Sequence, residues 1–97
     1  MLIAGKFEFQ GPYPDGTNFN NVPAVYVVIN GQRGLVLDVG ETERLSDRLS
    51  AHERRPCWGR HASLGIYFAV LKEESQTTRL TIEKAVRDYY SPPCGDR

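Results

Sequence analysis

The sequence predicts an α+β fold in which a small, mainly antiparallel sheet of three central strands is flanked by helices. Two apolar segments, 23–30 and 34–40, are separated by an Asn-Gly pair that is typical of a hairpin turn. A third apolar and aromatic segment covers 63–71, and apolar residues in 75–90 recur at helical period. The predicted order of the core is therefore β-β-α-β-α, with an extra strand at the N-terminal edge.

Length and composition indicate one domain of ordinary globular type. The chain has 97 residues, of which 40% are hydrophobic and 25% charged, and domains most often contain about 100–150 residues. We expect a single domain over 1–97, with its core at about 23–95. Residues 1–22 are expected to form an N-terminal extension, with a short edge strand followed by a long loop.

Charge and cysteine content limit the partners and the compartment. Basic and acidic residues balance at twelve each, so no global field attracts nucleic acid or anionic lipid, and any polyanion site must be local. Cys57 and Cys94 are too few for a disulfide scaffold, and neither a secretory signal nor a membrane-spanning run is visible. We expect a cytoplasmic protein with free thiols and no membrane partner.

The loop between the first two central strands decides which residues face each other. A two-residue turn would set Tyr26 opposite Leu35, whereas a three-residue loop over 31–33 would set Tyr26 opposite Asp38. We predict the second register. After Gly40 the pattern predicts one helix, which must end before Pro56 and is followed by a loop.

The last predicted helix carries a glutamate at its centre. Glu83 lies four residues from both Arg79 and Arg87, which is the spacing of a surface charge ladder. The residues expected to face the core from this helix are Ile82, Ala85, Val86 and Tyr89.

The polar residues of this framework make the chain similar to the GIY-YIG endonuclease family over about 23–95. Ala24-Val25-Tyr26 stands where the first family motif ends in tyrosine, and Asp38-Val39-Gly40 stands where the second reads Tyr-Ile-Gly. The second motif therefore has aspartate in place of tyrosine. The literal letters Gly65-Ile66-Tyr67 occur too late in the chain to be the first motif.

Further positions extend the resemblance toward the C-terminus. Arg48 falls at the family's catalytic arginine, and His52, four residues later, completes an Arg-Leu-x-x-His pattern. Glu83 matches the helix-borne glutamate that binds the divalent metal. Pro92-Pro93-Cys94-Gly95 resembles the closing Pro-Pro-x-Asn, with Gly95 in place of asparagine.

The resemblance implies a metal-dependent nuclease that hydrolyses phosphodiester bonds in DNA or RNA with Mg²⁺ or Mn²⁺. It implies that Tyr26 assists water activation, that Arg48 stabilises the phosphate and that Glu83 holds the metal. Histidine ordinarily titrates near neutrality, so we expect that His52 could share proton transfer. The alternative is a catalytically impaired module that binds nucleic acid or a protein partner. In either case specificity would come from a homodimer or another protein.

Asp38 has two interpretations, because a carboxylate inside an apolar strand needs a partner. It could bind Mg²⁺ jointly with Glu83, or it could accept a hydrogen bond from Arg48 and leave the site impaired.

Two further groups have open interpretations. Trp58 could stack on a base or cap the core, and the basic residues near it could contact the nucleic-acid backbone; the substrate-binding candidates are Arg54, Arg55, Trp58 and Arg60. A zinc site is the other possibility, although its four candidate ligands do not have the spacing of close-paired ligands; they are His52, Cys57, His61 and Cys94.

Overall fold

The computed structural model describes residues 1–95 and, over them, contains one five-stranded antiparallel sheet and three helices. The strands are β1 (Leu2–Ala4), β2 (Phe7–Pro14), β3 (Ala24–Asn30), β4 (Val36–Thr42) and β5 (Ile66–Lys72). The helices are α1 (Leu45–Ser50), α2 (Arg55–His61) and α3 (Gln76–Tyr90). The strand order is β1-β2-β5-β3-β4, so the prediction of a three-stranded central sheet is wrong.

The N-terminal residues supply the two additional strands. β1 pairs with β2, which in turn pairs with β5. The register of β2 shifts between Gln10 and Tyr13, where Gly11 has φ +110° and a Cβ would lie 2.8 Å from the carbonyl oxygen of Phe68. The Gly-Pro cluster that predicted a loop therefore belongs to a bulged strand.

The central strand β3 is buried on both faces. Its β-branched side chains alternate between two hydrophobic layers. One layer packs against α3, and its residues from β3 and α3 are Val25, Val27, Ile29, Ile82 and Val86. The other packs against α1 and α2, and its residues from these elements are Ala24, Tyr26, Val28, Leu45, Leu49, Trp58 and the half-buried Cys57. Helices thus cover both faces of the sheet.

The register between β3 and β4 differs from both sequence-based alternatives. Tyr26 lies opposite Gly40 and Val28 lies opposite Asp38, because the connection spans residues 31–35 and a bulge follows it. The predicted pairing of Tyr26 with Asp38 is therefore wrong. The two side chains nevertheless share a face of the sheet, since they are two positions apart in register.

The single helix predicted after Gly40 is instead two short helices. α1 ends at Ser50, and α2 begins at Arg55 with Pro56 in its first turn. Proline is tolerated there because the first N–H groups of a helix have no partner within the helix. The segment predicted as a loop is consequently helical, and this turns Trp58 into the core.

The predicted last helix is confirmed in extent, and its inward face is confirmed for Ile82 and Val86 only. At the start of α3, Ser75 Oγ accepts a hydrogen bond from the Thr78 amide at 3.2 Å, and the helix ends at Tyr90. Ala85 and Tyr89 are exposed, whereas the buried members of the helix are Arg79, Ile82, Val86 and Arg87. The reason is that α3 lies along β4, whose acidic side chains pair with the arginines.

Over the described residues, no helix combines the length and the apolar character needed to cross a membrane.

Candidate active site

Tyr26 and His52 form a buried pair on the face of the sheet that packs against α1 and α2. The Tyr26 hydroxyl lies 2.7 Å from His52 Nε2, and the two residues are 1% and 4% exposed. The tyrosine ring lies over Gly40, where a Cβ would approach the hydroxyl oxygen to 2.3 Å. Only glycine fits at this position, so the contact with Tyr26 explains why residue 40 is glycine.

The hydrogen bonds of His52 determine where its proton lies. Its Nδ1 accepts a hydrogen bond from the Arg54 amide at 3.0 Å. Burial, with the positive charges of Arg48 and Arg54, lowers the pKa of His52 to about 4. The imidazole is therefore neutral near pH 7, its proton is on Nε2, and that N–H donates to the Tyr26 oxygen.

The Tyr26 hydroxyl is subject to opposing influences. Burial raises the pKa of Tyr26 to about 12, while Arg48 acts in the opposite direction. The His52 Nε2–H and the Arg48 guanidinium both favour the phenolate form. Tyr26 is therefore protonated at rest, and the site contains groups that would stabilise its phenolate form.

Arg48 connects this pair to the surface. Its side chain is one-third exposed, and it donates to both carboxylate oxygens of Glu53, at 2.6 and 3.0 Å. Arg48 holds the pKa of Glu53 well below its usual range, at about 2. An incoming phosphate would have to compete with this carboxylate for the guanidinium.

Glu83 lies on α3, which packs on the opposite face of the sheet from Tyr26 and contacts β4. Arg79, one turn before it, donates to Glu41 Oε1 at 2.8 Å, and Arg87, one turn after it, donates to Asp38. Residues four apart share one face of a helix, so Glu83 lies between these two contacts along α3. Arg79 and Arg87 are 1% and 3% exposed, so the predicted surface charge ladder is wrong.

Asp38 is the buried centre of a separate cluster with Trp58, Arg87 and the part-exposed Arg54, called here the Asp38 cluster. Its Oδ2 accepts from Arg54 Nε at 2.6 Å and from Trp58 Nε1 at 2.8 Å. Its Oδ1 accepts from the Val39 amide at 2.8 Å and from Arg87 Nη2. Four donors fill the four acceptor positions of a carboxylate.

The contacts of Asp38 support neither of its two earlier interpretations. Its carboxylate has no remaining position for an ion, so the hypothesis of a Mg²⁺ site shared with Glu83 is not supported. The expected bond from Arg48 is also wrong, because Arg48 binds Glu53. Asp38 instead holds β4 to α2 and α3.

The two departures from the family motifs lie side by side in space. Gly95 has φ +93°, and a Cβ there would lie 2.9 Å from Asp38 Oδ1 and 2.7 Å from Arg87 Nη1. An asparagine at this position would collide with the ion pair that Asp38 makes. Aspartate at 38 and glycine at 95 are therefore parts of one structural arrangement.

The predicted substrate-binding residues are mostly engaged elsewhere. Trp58 is fully buried, which confirms its core interpretation. Arg54 binds Asp38, and Arg55 donates to both oxygens of Asp15 at 3.0 Å and to the Leu49 carbonyl at 2.8 Å. Arg60 is exposed near the end of α2.

The two cysteines are joined, contrary to the prediction of free thiols. Cys57 and Cys94 form a disulfide between α2 and the segment after α3. Of the zinc candidates, the structure brings together Cys57, His61 and Cys94, while His52 belongs to the tyrosine pair. A cytoplasmic location stays a prediction.

Sequence reasoning missed Glu53 and Arg87 as partners of the site. Glu53 follows Arg48 by five residues, which is not a contact spacing on a helix, and the end of α1 at Ser50 brings the two side chains together. Arg87 lies 49 residues from Asp38, and only the packing of α3 on β4 reveals the contact.

Neither a family model, nor a curated protein, nor a solved structure matches this chain.

Proposed function

We propose that this protein is a GIY-YIG-like, metal-dependent endonuclease that hydrolyses phosphodiester bonds in DNA or RNA. The observation that carries the proposal is the Tyr26–His52 hydrogen bond over Gly40, beside Arg48. A tyrosine, a neutral histidine and an arginine are a set of groups suited to proton transfer and phosphate stabilisation.

Tyr26 acts as the group that exchanges a proton with the attacking water. His52 holds the tyrosine oxygen through its Nε2–H, and Arg48 supplies the positive charge that favours the phenolate. When Arg48 leaves Glu53 for a phosphate, its two parallel N–H groups match two phosphoryl oxygens. Arg60, exposed on α2, is the remaining candidate for a backbone contact.

Glu83 is the residue that would hold Mg²⁺ or Mn²⁺. A half-buried carboxylate on a sheet-facing helical stripe suits a hard cation, and Mg²⁺ commonly binds through one or two carboxylates together with water and substrate phosphate. The ion would stabilise negative charge on the phosphoryl oxygens. Asp38 has no part in this set.

The test is cleavage of supercoiled plasmid and of labelled RNA with Mg²⁺ or Mn²⁺. We expect metal-dependent nicking of at least one substrate and its loss in Glu83→Ala. Glu74→Ala is the matched control, because Glu74 is exposed just before α3 and contributes its backbone carbonyl rather than its side chain to Arg79. Cleavage that survives Glu83→Ala would belong to a contaminant or to another site.

A catalytically impaired binding module is the second candidate, and one observation favours it. The residue at the second-motif tyrosine is Asp38, whose carboxylate is consumed inside its cluster, and the hydroxyl of Tyr26 is buried. Such a module would slow the migration of nucleic acid in a native gel without cleaving it, or would bind a protein partner. Since the formal net charge is zero, binding would gain from a homodimer or partner protein.

A further inference from the structure

Cys57, His61 and Cys94 form a cluster of metal-ligating groups that the proposed nuclease does not use. The two sulfurs and an imidazole nitrogen all lie within 4.8 Å of one another. Cys57 and His61 are four residues apart on α2 and therefore share one face of the helix. We propose that these three residues form a zinc site when the Cys57–Cys94 disulfide is reduced.

The donor set selects the metal. Thiolate and imidazole ligands favour Zn²⁺ over Mg²⁺ or Ca²⁺, which prefer oxygen. With Zn–S bonds of about 2.3 Å and Zn–N bonds of about 2.0 Å, neighbouring ligand atoms around tetrahedral zinc lie about 3.4–3.8 Å apart. The observed grouping reaches this arrangement by small side-chain movements, and a water molecule completes the tetrahedron.

Contacts other than the disulfide keep the two cysteines opposed. The Cys94 amide donates to the Leu37 carbonyl at 2.9 Å, and the Cys94 carbonyl accepts from Arg87 Nη1 at 3.0 Å. Cys57 is held by α2, whose Trp58 donates to Asp38. The backbones carrying both sulfurs thus remain anchored after the S–S bond opens, while the exposed His61 gives the ion access from solvent.

The conversion is a two-electron reduction followed by metal binding. A dithiol reductant gives two electrons and two protons to the Cys57–Cys94 bond and itself closes to a disulfide, so two protein thiols form. Zn²⁺ then binds the two sulfurs and His61, and the two thiol protons pass to solvent. The disulfide and the zinc site are mutually exclusive states of one pair of sulfurs.

The test compares zinc binding by the oxidised and reduced full-length chain. Reduction uses a phosphine, which becomes a phosphine oxide with an oxygen atom from water, followed by titration against a chromophoric zinc chelator. We expect one zinc ion per reduced chain and none per oxidised chain. Co²⁺ should give the thiolate-to-metal charge-transfer band and the visible absorption of a tetrahedral site.

His61→Ala is the decisive variant because His61 is exposed and the substitution leaves the disulfide intact. It should lower zinc affinity of the reduced chain by about tenfold or more, since even partners of metal ligands are worth about 10–100-fold. Arg60→Ala, in the same helical turn, should bind zinc like the wild type.

Several results would overturn the proposal. They are zinc binding that is equal in the oxidised and reduced chains, unchanged affinity in His61→Ala, and a cobalt spectrum without thiolate ligation. A reduced chain that unfolds, as seen by circular dichroism, and is not refolded by zinc would overturn it as well. None of these measurements depends on nuclease activity.

Discussion

Two buried polar groups lie on the same face of the sheet, both fully hydrogen-bonded, and differ in whether a buried carboxylate is present. The Asp38 cluster balances a carboxylate with two arginines and an indole N–H, and every acceptor position is filled. The pair of Tyr26 and His52, with Arg48 beside it, contains no buried carboxylate and has strongly shifted pKa values. The first has the character of a structural support, and the second that of a reactive site.

The difference shows that a polar residue inside a family-like motif need not share the motif's role. Asp38 occupies a motif position, yet its contacts explain it without any chemistry. Variants of the two groups should therefore have different effects. Substitutions in the Asp38 cluster should lower stability, and substitutions in the Tyr26–His52 pair should lower activity.

Asp38→Asn should have the largest effect on stability. It removes the negative charge between Arg54 and Arg87 and turns an amide NH₂ toward their donors, so we expect the free energy of unfolding to fall by about 3–5 kcal/mol. Urea denaturation measures the change. Asp47→Asn, an exposed acid paired with Arg44, should leave the midpoint nearly unchanged. If the two variants unfolded alike, the supporting role of the cluster would be refuted.

Tyr26→Phe should separate activity from stability. Loss of the proton-exchanging hydroxyl should slow plasmid nicking by about 10²–10⁴-fold. The free energy of unfolding should fall by only about 1–3 kcal/mol, because one buried N–H loses its acceptor. Initial rates and urea curves measure both, with Tyr13→Phe, an exposed tyrosine, as control. A full rate in Tyr26→Phe would remove the hydroxyl from the mechanism.

His52 should make stability depend on pH in the acid range. Its pKa is lowered to about 4 in the fold, against about 6.5 in the unfolded chain, so the unfolded state binds the extra proton between these values. Stability should therefore be complete above about pH 6.5 and should fall by up to about 3 kcal/mol as the pH approaches 4.

Denaturation midpoints between these pH values test the assignment. His52→Gln should flatten this part of the profile. If stability still fell with pH in His52→Gln as steeply as in the wild type, the titrating groups would be others than His52.

Gly95→Ala should test the coupling between the two motif departures. The added Cβ meets Asp38 and Arg87 at a φ of +93°, whereas Gly16 has φ +94° with nothing within 4 Å. Gly16→Ala therefore measures the backbone strain alone. We expect Gly95→Ala to be the less stable of the two by about 1–2 kcal/mol in urea denaturation. Equal losses would mean that the crowding is relieved without cost.

Glu53→Gln should have the smallest effect and the opposite sign. It weakens the carboxylate that competes with phosphate for Arg48, so nicking should become about two- to fivefold faster at low substrate concentration. Glu43→Gln serves as the control, because Glu43 is also exposed and lies 3.9 Å from a different arginine, Arg79. A slower rate in Glu53→Gln would mean that Glu53 positions Arg48 productively.

Local patterns in the sequence determined several elements correctly. The β-branched run in β3 has no polar face, and this predicted a strand buried on both sides. The helical period of residues 75–90 predicted α3, whereas the grouping of Tyr26 with Arg48 and His52, 26 residues apart at its ends, followed from the family resemblance. The strand and the helix depend on residues close in the chain, whose preferences are local.

Long-range contacts decided the rest. The five-stranded sheet arose because a Gly-Pro segment fitted a bulge against β5, which no local pattern indicates. The same holds for the disulfide over 37 residues and for two arginines that a helical pattern placed in solvent. A charged residue is buried only where a residue of another element supplies its counterion, and that ion pair exists only in the folded chain. For this reason the sequence alone determined the strand, the helix and the spacing of the site, while the tertiary structure alone decided that Asp38 supports the fold.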